Sequence, residues 1–421
     1  MATVKRGRIS IVTAGHISTC PRMLKAADAL AGAGYRVRVV SVQHTGWATT
    51  ADAAVRRARR DAWQWTVVNY DRRRAPSTYV RSGLRARAAR ALVDRVGPAR
   101  ASLALVVRAQ SRAHAELVRA VLAEDADLIY GGTSGALAAV AEAGRRRGTP
   151  YALDLEDFHS AEQDEGPAGR LADLLAERVE RSVLPGAAFL TASSPAIASA
   201  YAEKYGVHAI AIHNTFPLPL KAPDPTPSPG EGLRLYWFSQ TIGPGRGLED
   251  AVSAMGLGEI PGELHLRGRD VRDYVDGLTR RAQDAAPGLK IIQHEPAAPD
   301  AMIELCAGYD VGLTLEQGHV LNRALCLSNK ALTYILAGLA LAITDTPGQR
   351  PLAQALGAAA LLYRAGDVRA LAAGLGHWAY DKAALAHAKT GAWEIARQRW
   401  HWAHPEERGA LLRAVVGVLD R

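Results

Sequence analysis

The chain has 421 residues, more than a single hydrophobic core usually holds, so two domains are expected. Nearly half of the residues are apolar and 22% are charged, which is typical of a globular protein. The three cysteines have the spacing of neither a zinc site nor a disulfide framework, which favours a reducing cytoplasm. The net charge of +9 rests on 43 arginines and 8 lysines, and it reflects either an arginine-rich composition or acidic partners.

Strands alternate with helices through most of the first 215 residues. A short apolar run at 8–15 precedes a helix predicted for 20–34, in which Pro21 suits the first turn and Gly34 the end. Further strands are predicted at 35–42, 126–132, 150–157, 187–194 and 208–214. This alternation predicts a doubly wound parallel sheet. The segment 43–120 departs from it, and we interpret that segment as a basic, mostly helical insertion.

A proline-rich stretch at 216–232 separates two similar halves, because five more strands alternate with helices beyond it. The apolar stretch around 331–344 is too short to span a membrane. We therefore predict an α/β protein with two doubly wound, Rossmann-like parallel-sheet domains that face a cleft. The predicted parts are an N-terminal domain over 1–217, a linker over 218–231, a C-terminal domain over 232–390, and a C-terminal helix over 391–421 that could pack back on the first domain.

The stretch "WFSQTIGPGRGLEDAVSAM" begins as a strand and ends as a helix, with Gly243, Gly247 and Arg246 in the loop between them. Glycines at a helix start let backbone N–H groups approach an anion, and the helix start carries partial positive charge. Arg246 adds a forked cation at the same place. The loop therefore suits a diphosphate, although a plain strand-to-helix turn with Arg246 in solvent explains the same residues.

A second polar stretch follows the strand predicted at 309–315 and leads into an apolar helix. It brings candidate ligand-binding side chains to the same edge of the sheet: Glu316, His319, Asn322, Ser328, Asn329 and Lys330. Each has a structural alternative, since Ser328 or Asn329 can simply cap the helix and Lys330 can extend along apolar surface. Two anion-suited helix starts in one domain favour the binding interpretation.

The segments "GPGRGLEDAVSAM", "LHLRG", "YDVGLTLEQ" and "SNKALTYILAGLA" resemble the donor half of GT-B glycosyltransferases, in particular the family-4-like group. The segments "TAGHISTCPRMLKAADALAGAGYRVRVV", "YALDLEDFHSAE" and "IHN" resemble the acceptor half. The resemblance covers most of the chain outside 43–120. It implies a nucleotide-sugar donor, bound as a co-substrate in the C-terminal domain, with no cofactor and no metal.

The resemblance also implies a role for each matching residue. Arg246 and the segment Ser328, Asn329 and Lys330 are expected on the diphosphate, and Glu316 near the donor sugar or ribose as a catalytic residue. The donor base and sugar are expected to contact Arg267, Gly268, His294, His319 and Asn322. Many relatives carry a second glutamate where this chain has Thr333, which departs from the paired-glutamate pattern.

Candidate acceptor residues follow two strands of the first half. Glu156, Asp157 and His159 come after one strand, and Gly15 and His16 lie in the first strand-helix loop. Asp157 or His16 could orient or deprotonate an acceptor hydroxyl. The alternatives are a polar cluster at a helix start and a structural histidine.

The arginine-rich part of the insertion would favour a lipid-linked acceptor. Residues 51–120 hold sixteen arginines and five acidic residues, which suits the anionic inner face of a membrane but also suits a solvated helical surface. Few aromatic residues accompany them, so nucleic acid is not expected as a partner. We therefore expect a cytoplasmic protein that can reach the inner face of the membrane.

Taken with the resemblance, these residues predict a glycosyltransferase that moves a hexose from a nucleotide-diphosphate donor to a hydroxyl acceptor, in polysaccharide or glycolipid assembly. The resemblance favours a retaining mechanism. Two alternatives remain: a sugar-nucleotide epimerase of the same fold, and a non-catalytic binder of nucleotides or polyanions.

Overall fold

The computed structural model describes residues 7–163, 166–297 and 301–420. The chain forms two compact units. The first runs to His213 and takes up the chain again from Arg408, and the second is Asn214–Glu407. The boundary therefore falls at the start of the proline-rich stretch, and the predicted C-terminal helix region is shared between the units at Arg408.

The first unit contains a parallel sheet of seven strands in the order β3-β2-β1-β4-β5-β6-β7. Its strands are β1 Arg8–Thr13, β2 Arg36–Gln43, β3 Gln64–Asn69, β4 Leu128–Gly132, β5 Tyr151–Leu155, β6 Leu190–Ala192 and β7 Ala209–Ala211. Its helices up to the linker are α1 Pro21–Gly32, α2 Gly46–Ala58, α3 Pro76–Val96, α4 Leu103–Gln110, α5 His114–Leu122, α6 Ser134–Arg147, α7 Pro167–Val183 and α8 Pro195–Tyr205.

The second unit contains a parallel sheet of six strands in the order β10-β9-β8-β11-β12-β13. Its strands are β8 Leu233–Ile242, β9 Gly262–Asp270, β10 Leu289–His294, β11 Val311–Thr314, β12 Ala340–Thr344 and β13 Ala360–Tyr363. Its helices are α9 Leu248–Leu257, α10 Tyr274–Ala285, α11 Met302–Cys306, α12 Leu321–Leu325, α13 Asn329–Leu336, α14 Arg350–Leu356, α15 Val368–Tyr380 and α16 Lys382–Gln398.

The chain ends in α17 Arg408–Leu419, which packs against α1 in the first unit through a face that includes Leu411 and Val415. The prediction of two doubly wound parallel-sheet domains is confirmed. None of the helices among the described residues has both the length and the apolar character needed to cross a bilayer.

The segment 43–120 differs from the prediction in one respect. Its residues 64–69 form β3, which pairs with β2 as the edge strand of the first sheet. The run Trp65–Val68 is rich in the β-branched and aromatic residues that strands favour. Arginine-rich stretches on both sides hid this signal, so the segment belongs partly to the sheet and is not simply an insertion.

The order of strands reverses between β1 and β4 in the first sheet and between β8 and β11 in the second. In sheets of this kind, ligands bind where the order reverses, at the carboxyl ends of the strands. Gly312 lies in β11, one of the two strands at this reversal. An added Cβ there would lie 2.3 Å from the Tyr334 ring of α13. The absence of a side chain thus allows α13 to lie directly on the sheet.

Candidate functional site

The glycine loop after β8 is held against the loop after β11. Gly245 and Gly247 have φ values of 71° and 72°, which favour glycine over any residue with a side chain. A Cβ on Gly247 would lie 2.4 Å from the Leu315 carbonyl oxygen, and one on Gly245 would lie 3.8 Å from Nε2 of His319. The start of α9 and the residues that follow β11, including His319, therefore lie next to each other.

Glu316 and Lys330 form a short, nearly buried ion pair at this site. The distance between Glu316 Oε1 and Lys330 Nζ is 2.7 Å, and the two side chains are 12% and 13% exposed. Burial alone would raise the pKa of Glu316, but the positive charges of Lys330, Arg246 and Arg323 outweigh it and hold that pKa below its usual value. Three of the predicted residues, Arg246, Glu316 and Lys330, are thus brought together.

The start of α13 lies beside this ion pair. The Ser328 hydroxyl accepts a hydrogen bond from the Lys330 backbone N–H at 3.3 Å, so Ser328 caps the helix. Asn329 accepts a hydrogen bond from Asn214 Nδ2 at 3.0 Å. Thr333, at the position of the expected second glutamate, is buried and donates to the Asn329 carbonyl oxygen at 2.9 Å, so it supplies no charge to the site.

Asn322 is buried in α12, where its side-chain oxygen accepts a hydrogen bond from Cys326 Sγ at 3.3 Å. His319, three residues earlier, is exposed. Of these two predicted donor contacts, the exposed His319 beside the glycine loop is the better placed to meet a ligand.

Arg267, Gly268 and His294 occupy the ends of β9 and β10. Arg267 donates from Nε to the Tyr236 hydroxyl and from Nη1 to the Glu295 carbonyl oxygen, both at 2.7 Å. Gly268 has a φ of 150°, and an added Cβ would lie 2.5 Å from the Ser239 carbonyl oxygen. Gly268 therefore permits the close approach of β8 to β9.

His294 belongs to a hydrogen-bonded pair of histidines that sequence reasoning did not find. Its Nε2 lies 2.8 Å from Nδ1 of His265, and the two rings stack with centroids 5.1 Å apart. His265 Nε2 lies 2.9 Å from Glu263 Oε2. Burial lowers the pKa of both histidines, assisted by the charge of Arg234 at both rings and by that of Arg267 at His294.

The first unit holds a cavity of about 640 Å³ where its strand order reverses. The three predicted residues that follow β5 line it, together with the predicted glycine of the loop after β1: Glu156, Asp157, His159 and Gly15. Further lining residues are His44, Tyr70, Tyr79, Arg112, Thr133, Ser134, Gly135 and Glu162. The volume is that of an ordinary small-molecule site.

One wall of this cavity, formed by the residues after β5, carries acidic groups. Burial and the charge of Asp157 raise the pKa of Glu156 to about 7. Burial would lower the pKa of His159, but Glu162, Glu180 and Asp157 outweigh it and raise that pKa to about 9. A carboxyl group that titrates near neutrality can accept a proton from a hydroxyl group, and the neighbouring imidazolium balances part of the negative charge.

Asp157, His159 and Glu162 also offer ligand atoms that lie within 4.8 Å of one another, close enough to surround a cation. His159 Nδ1 is already hydrogen-bonded to Glu162 Oε2 at 3.1 Å. The charged histidine therefore compensates part of the carboxylate charge from within the trio.

His16 lies outside that wall and is fully engaged in structure. Its Nε2 accepts hydrogen bonds from the backbone N–H groups of His44 and Thr45 at 3.1 and 3.0 Å. Its Nδ1 therefore carries the proton and donates it to Asp52 Oδ2 at 2.7 Å. With both nitrogens occupied and 2% exposure, His16 orients the loop after β1, which agrees with its structural alternative.

Residues 22–215 match the family described as glycosyl transferase 4-like domain. Solved structures extend the similarity over the whole chain. HepE from Anabaena, solved in complex with UDP, has a TM-score of 0.65 at 17% identity and covers 98% of this chain and 99% of its own. No curated protein sequence is significantly similar.

Two further structures agree. Sucrose-phosphate synthase from Thermosynechococcus elongatus has a TM-score of 0.64 at 13% identity, with 98% of this chain and 100% of that chain covered. A mutant of S. aureus TarM has a TM-score of 0.64 at 8% identity, with coverage of 99% and 100%. The predicted resemblance is confirmed: the chain has the GT-B fold of glycosyltransferases.

Within this GT-B fold, the second unit offers a cationic site beside a glycine loop, and the first offers a cavity with a titratable carboxyl group. Trp237 is one functional neighbour that sequence reasoning missed, since Lys330 Nζ lies 5.7 Å from the centre of its ring. In the sequence, Trp237 is simply one residue of an apolar run that predicts a strand, so nothing there indicates its contact with Lys330. Asp52, the partner of His16, was missed because 36 residues separate the two.

Proposed function

We propose that this GT-B protein transfers a hexose from a uridine diphosphate donor to a hydroxyl group of an acceptor, with retention of configuration and without a metal ion. The convergence of Arg246, Glu316 and Lys330 beside the glycine loop supports the proposal most strongly. The structurally similar HepE is described in complexes with UDP and with UDP-glucose, which supports a uridine donor.

Glycosyl transfer leaves negative charge on the departing diphosphate. Arg246, Lys330 and the N-terminal ends of α9 and α13 would stabilise that charge, the role that a metal ion plays in other sites. Glu316 holds Lys330 in place before the donor binds, through the 2.7 Å ion pair. These groups are already positioned, so little reorganisation accompanies the reaction.

The acceptor would bind in the cavity of the first unit, with its reacting hydroxyl near Glu156 and Asp157. The raised pKa of Glu156, about 7, suits it to accept the hydroxyl proton. The acidic wall and the cavity volume of about 640 Å³ support an acceptor that is a sugar or another small polyol headgroup.

Helix α3 supports a lipid-linked acceptor at an anionic membrane. Val80, Leu84 and Leu92 are 52%, 57% and 51% exposed, and their spacing of four and eight residues places them along one stripe of the helix. Exposed arginines accompany this stripe: Arg81, Arg87, Arg90 and Arg95. Exposed apolar side chains interspersed with arginines fit the surface of an anionic bilayer, and we infer a cytoplasmic protein that acts there in glycolipid or polysaccharide assembly.

Thermal unfolding with a panel of nucleoside diphosphates and their sugars tests the proposal. UDP and a UDP-hexose should raise Tm by several degrees, whereas other nucleotides should have smaller effects. NMR spectroscopy of incubations with UDP-hexoses, which distinguishes epimers of equal mass, then separates the alternatives. Formation of an epimeric hexose without any acceptor would identify an epimerase, and no nucleotide effect together with salt-sensitive polyanion binding would identify a non-catalytic binder.

A further inference from the structure

The cavity of the first unit has a cationic end as well as its acidic wall. Arg112, between α4 and α5, lies over the rings of Tyr79 and Tyr70 at 4.2 and 5.7 Å. Its Nε donates to Ser82 Oγ at 2.8 Å, and its Nη2 donates to the Tyr79 carbonyl oxygen. All of these partners are neutral.

The charge of Arg112 is therefore not balanced by an ion pair within the described chain. Other arginines of the same unit do have such partners: Arg22 pairs with Asp154 at 2.6 Å and Arg85 with Glu116 at 2.6 Å. Arg112 is half-buried and lines the cavity. A fixed guanidinium of this kind, stacked on aromatic rings and lacking a carboxylate, suits an oxyanion ligand.

Two helix starts lie beside Arg112 on the same cavity. Ser111 and Ala113 precede α5, and Ser134 and Gly135 begin the 14-residue helix α6. Neither helix start has a side-chain cap, so first-turn N–H groups remain available. A Cβ on Gly135 would lie 3.3 Å from Ser111 Oγ, which shows how close the two helix starts approach.

A buried histidine on the acidic wall independently indicates that the cavity holds a ligand. His159 is 5% exposed, and its Nε2 is buried without a hydrogen-bond partner among the described residues. Buried polar atoms in native proteins are normally paired, so this nitrogen is expected to meet a polar group of a bound molecule.

We propose that Arg112 and the start of α6 bind a phosphate ester group of the acceptor, while the acceptor hydroxyl group lies toward Glu156. This proposal rests on the proposed function and narrows its acceptor to a phosphorylated one. The phosphate can belong to a soluble sugar or glycerol phosphate or to the headgroup of an isoprenoid lipid, because the same oxygen atoms meet the arginine in either case.

Isothermal titration of the full chain with saturating UDP present tests the proposal, because UDP prevents the probes from binding at the donor site. Glycerol 3-phosphate should bind about tenfold or more tightly than glycerol, and farnesyl phosphate more tightly than farnesol. Similar affinities of the two phosphates indicate a soluble acceptor, and much tighter binding of farnesyl phosphate indicates a lipid one. Equal binding of phosphates and their alcohols would overturn the proposal.

Variants locate the site. Arg112→Gln should weaken phosphate binding about tenfold, and Arg112→Lys should weaken it less, because lysine keeps the charge but loses the fork. Arg108→Gln is the matched control, since Arg108 is exposed on α4 outside the cavity. An Arg112→Gln protein that binds phosphate like the parent contradicts the assignment. If the parent protein binds UDP but neither phosphate probe, this subsite alone is rejected. If the parent binds neither UDP nor the phosphate probes, the proposed function is rejected.

Discussion

The ion pair between Glu316 and Lys330 makes a direct prediction about single side chains. Lys330→Met leaves a carboxylate that is 12% exposed without its nearest cation, so the free energy of unfolding should fall by about 3 kcal/mol. The double variant Lys330→Met with Glu316→Gln should recover most of that loss but should not recover UDP affinity. Urea unfolding and UDP titration of all three proteins measure the two effects, and recovered affinity would show that Lys330 does not contact the diphosphate.

Glu156 should make stability depend on pH. Its pKa is about 7 in the folded protein and 4.5 ordinarily, so the folded state binds the proton more tightly than the unfolded state does. The free energy of unfolding should therefore fall as pH rises from about 4.5 to 7. Glu156→Gln should lose less stability over this interval than the parent or the exposed Glu203→Gln control. Urea unfolding at pH 5 and pH 8 checks this, and identical pH slopes would argue against a raised pKa.

The loop between β8 and α9 depends on a glycine that no other residue can replace without strain. Gly247→Ala must adopt a φ of 72° with its Cβ 2.4 Å from the Leu315 carbonyl oxygen. We expect a loss of about 2 kcal/mol or more and weaker nucleotide binding. Gly277→Ala in α10 is the matched control, since nothing lies within 4 Å of its Cβ position and alanine favours helices. Equal stability of the two variants would mean that the loop tolerates a side chain.

Helix α3 should hold the protein on anionic membranes. The variant Leu84→Ser with Leu92→Ser removes two residues of the exposed stripe and should reduce co-sedimentation with vesicles that contain phosphatidylglycerol. Leu257→Ser is the control, because Leu257 is equally exposed at 57% but lies in the second unit. The membrane role would be contradicted if the parent bound neutral phosphatidylcholine vesicles as well as anionic ones. It would also be contradicted if the variant and the parent bound anionic vesicles equally.

Local patterns in the sequence predicted most of the fold. The strand-helix alternation, the proline-rich boundary and the helix after Gly247 depend on residues close together in the chain, so they could be found without coordinates. The edge strands β3 and β13 were the exceptions, because charged residues surround the short apolar run of β3 and β13 has only four residues.

Long-range pairing is what sequence reasoning could not supply. The partner of His16 lies 36 positions along the chain, and Lys330 follows Glu316 by 14 positions, so the sequence does not reveal their 2.7 Å contact. Arg112 was one of sixteen arginines in a basic segment, and its place on the cavity wall over Tyr79 distinguishes it only in the structure. Candidate residues could therefore be named, but their roles required the packing of distant elements.

At the scale of the whole molecule, we propose that the second unit binds a nucleoside diphosphate through Arg246 and Lys330. Isothermal titration of UDP into the full chain tests it most directly, with Arg246→Ala as the variant and the exposed Arg280→Ala of α10 as the control. The parent should bind one UDP per chain, and binding should be unchanged in Arg280→Ala and weakened at least about tenfold in Arg246→Ala. No binding by the parent, or equal binding by all three proteins, would contradict it.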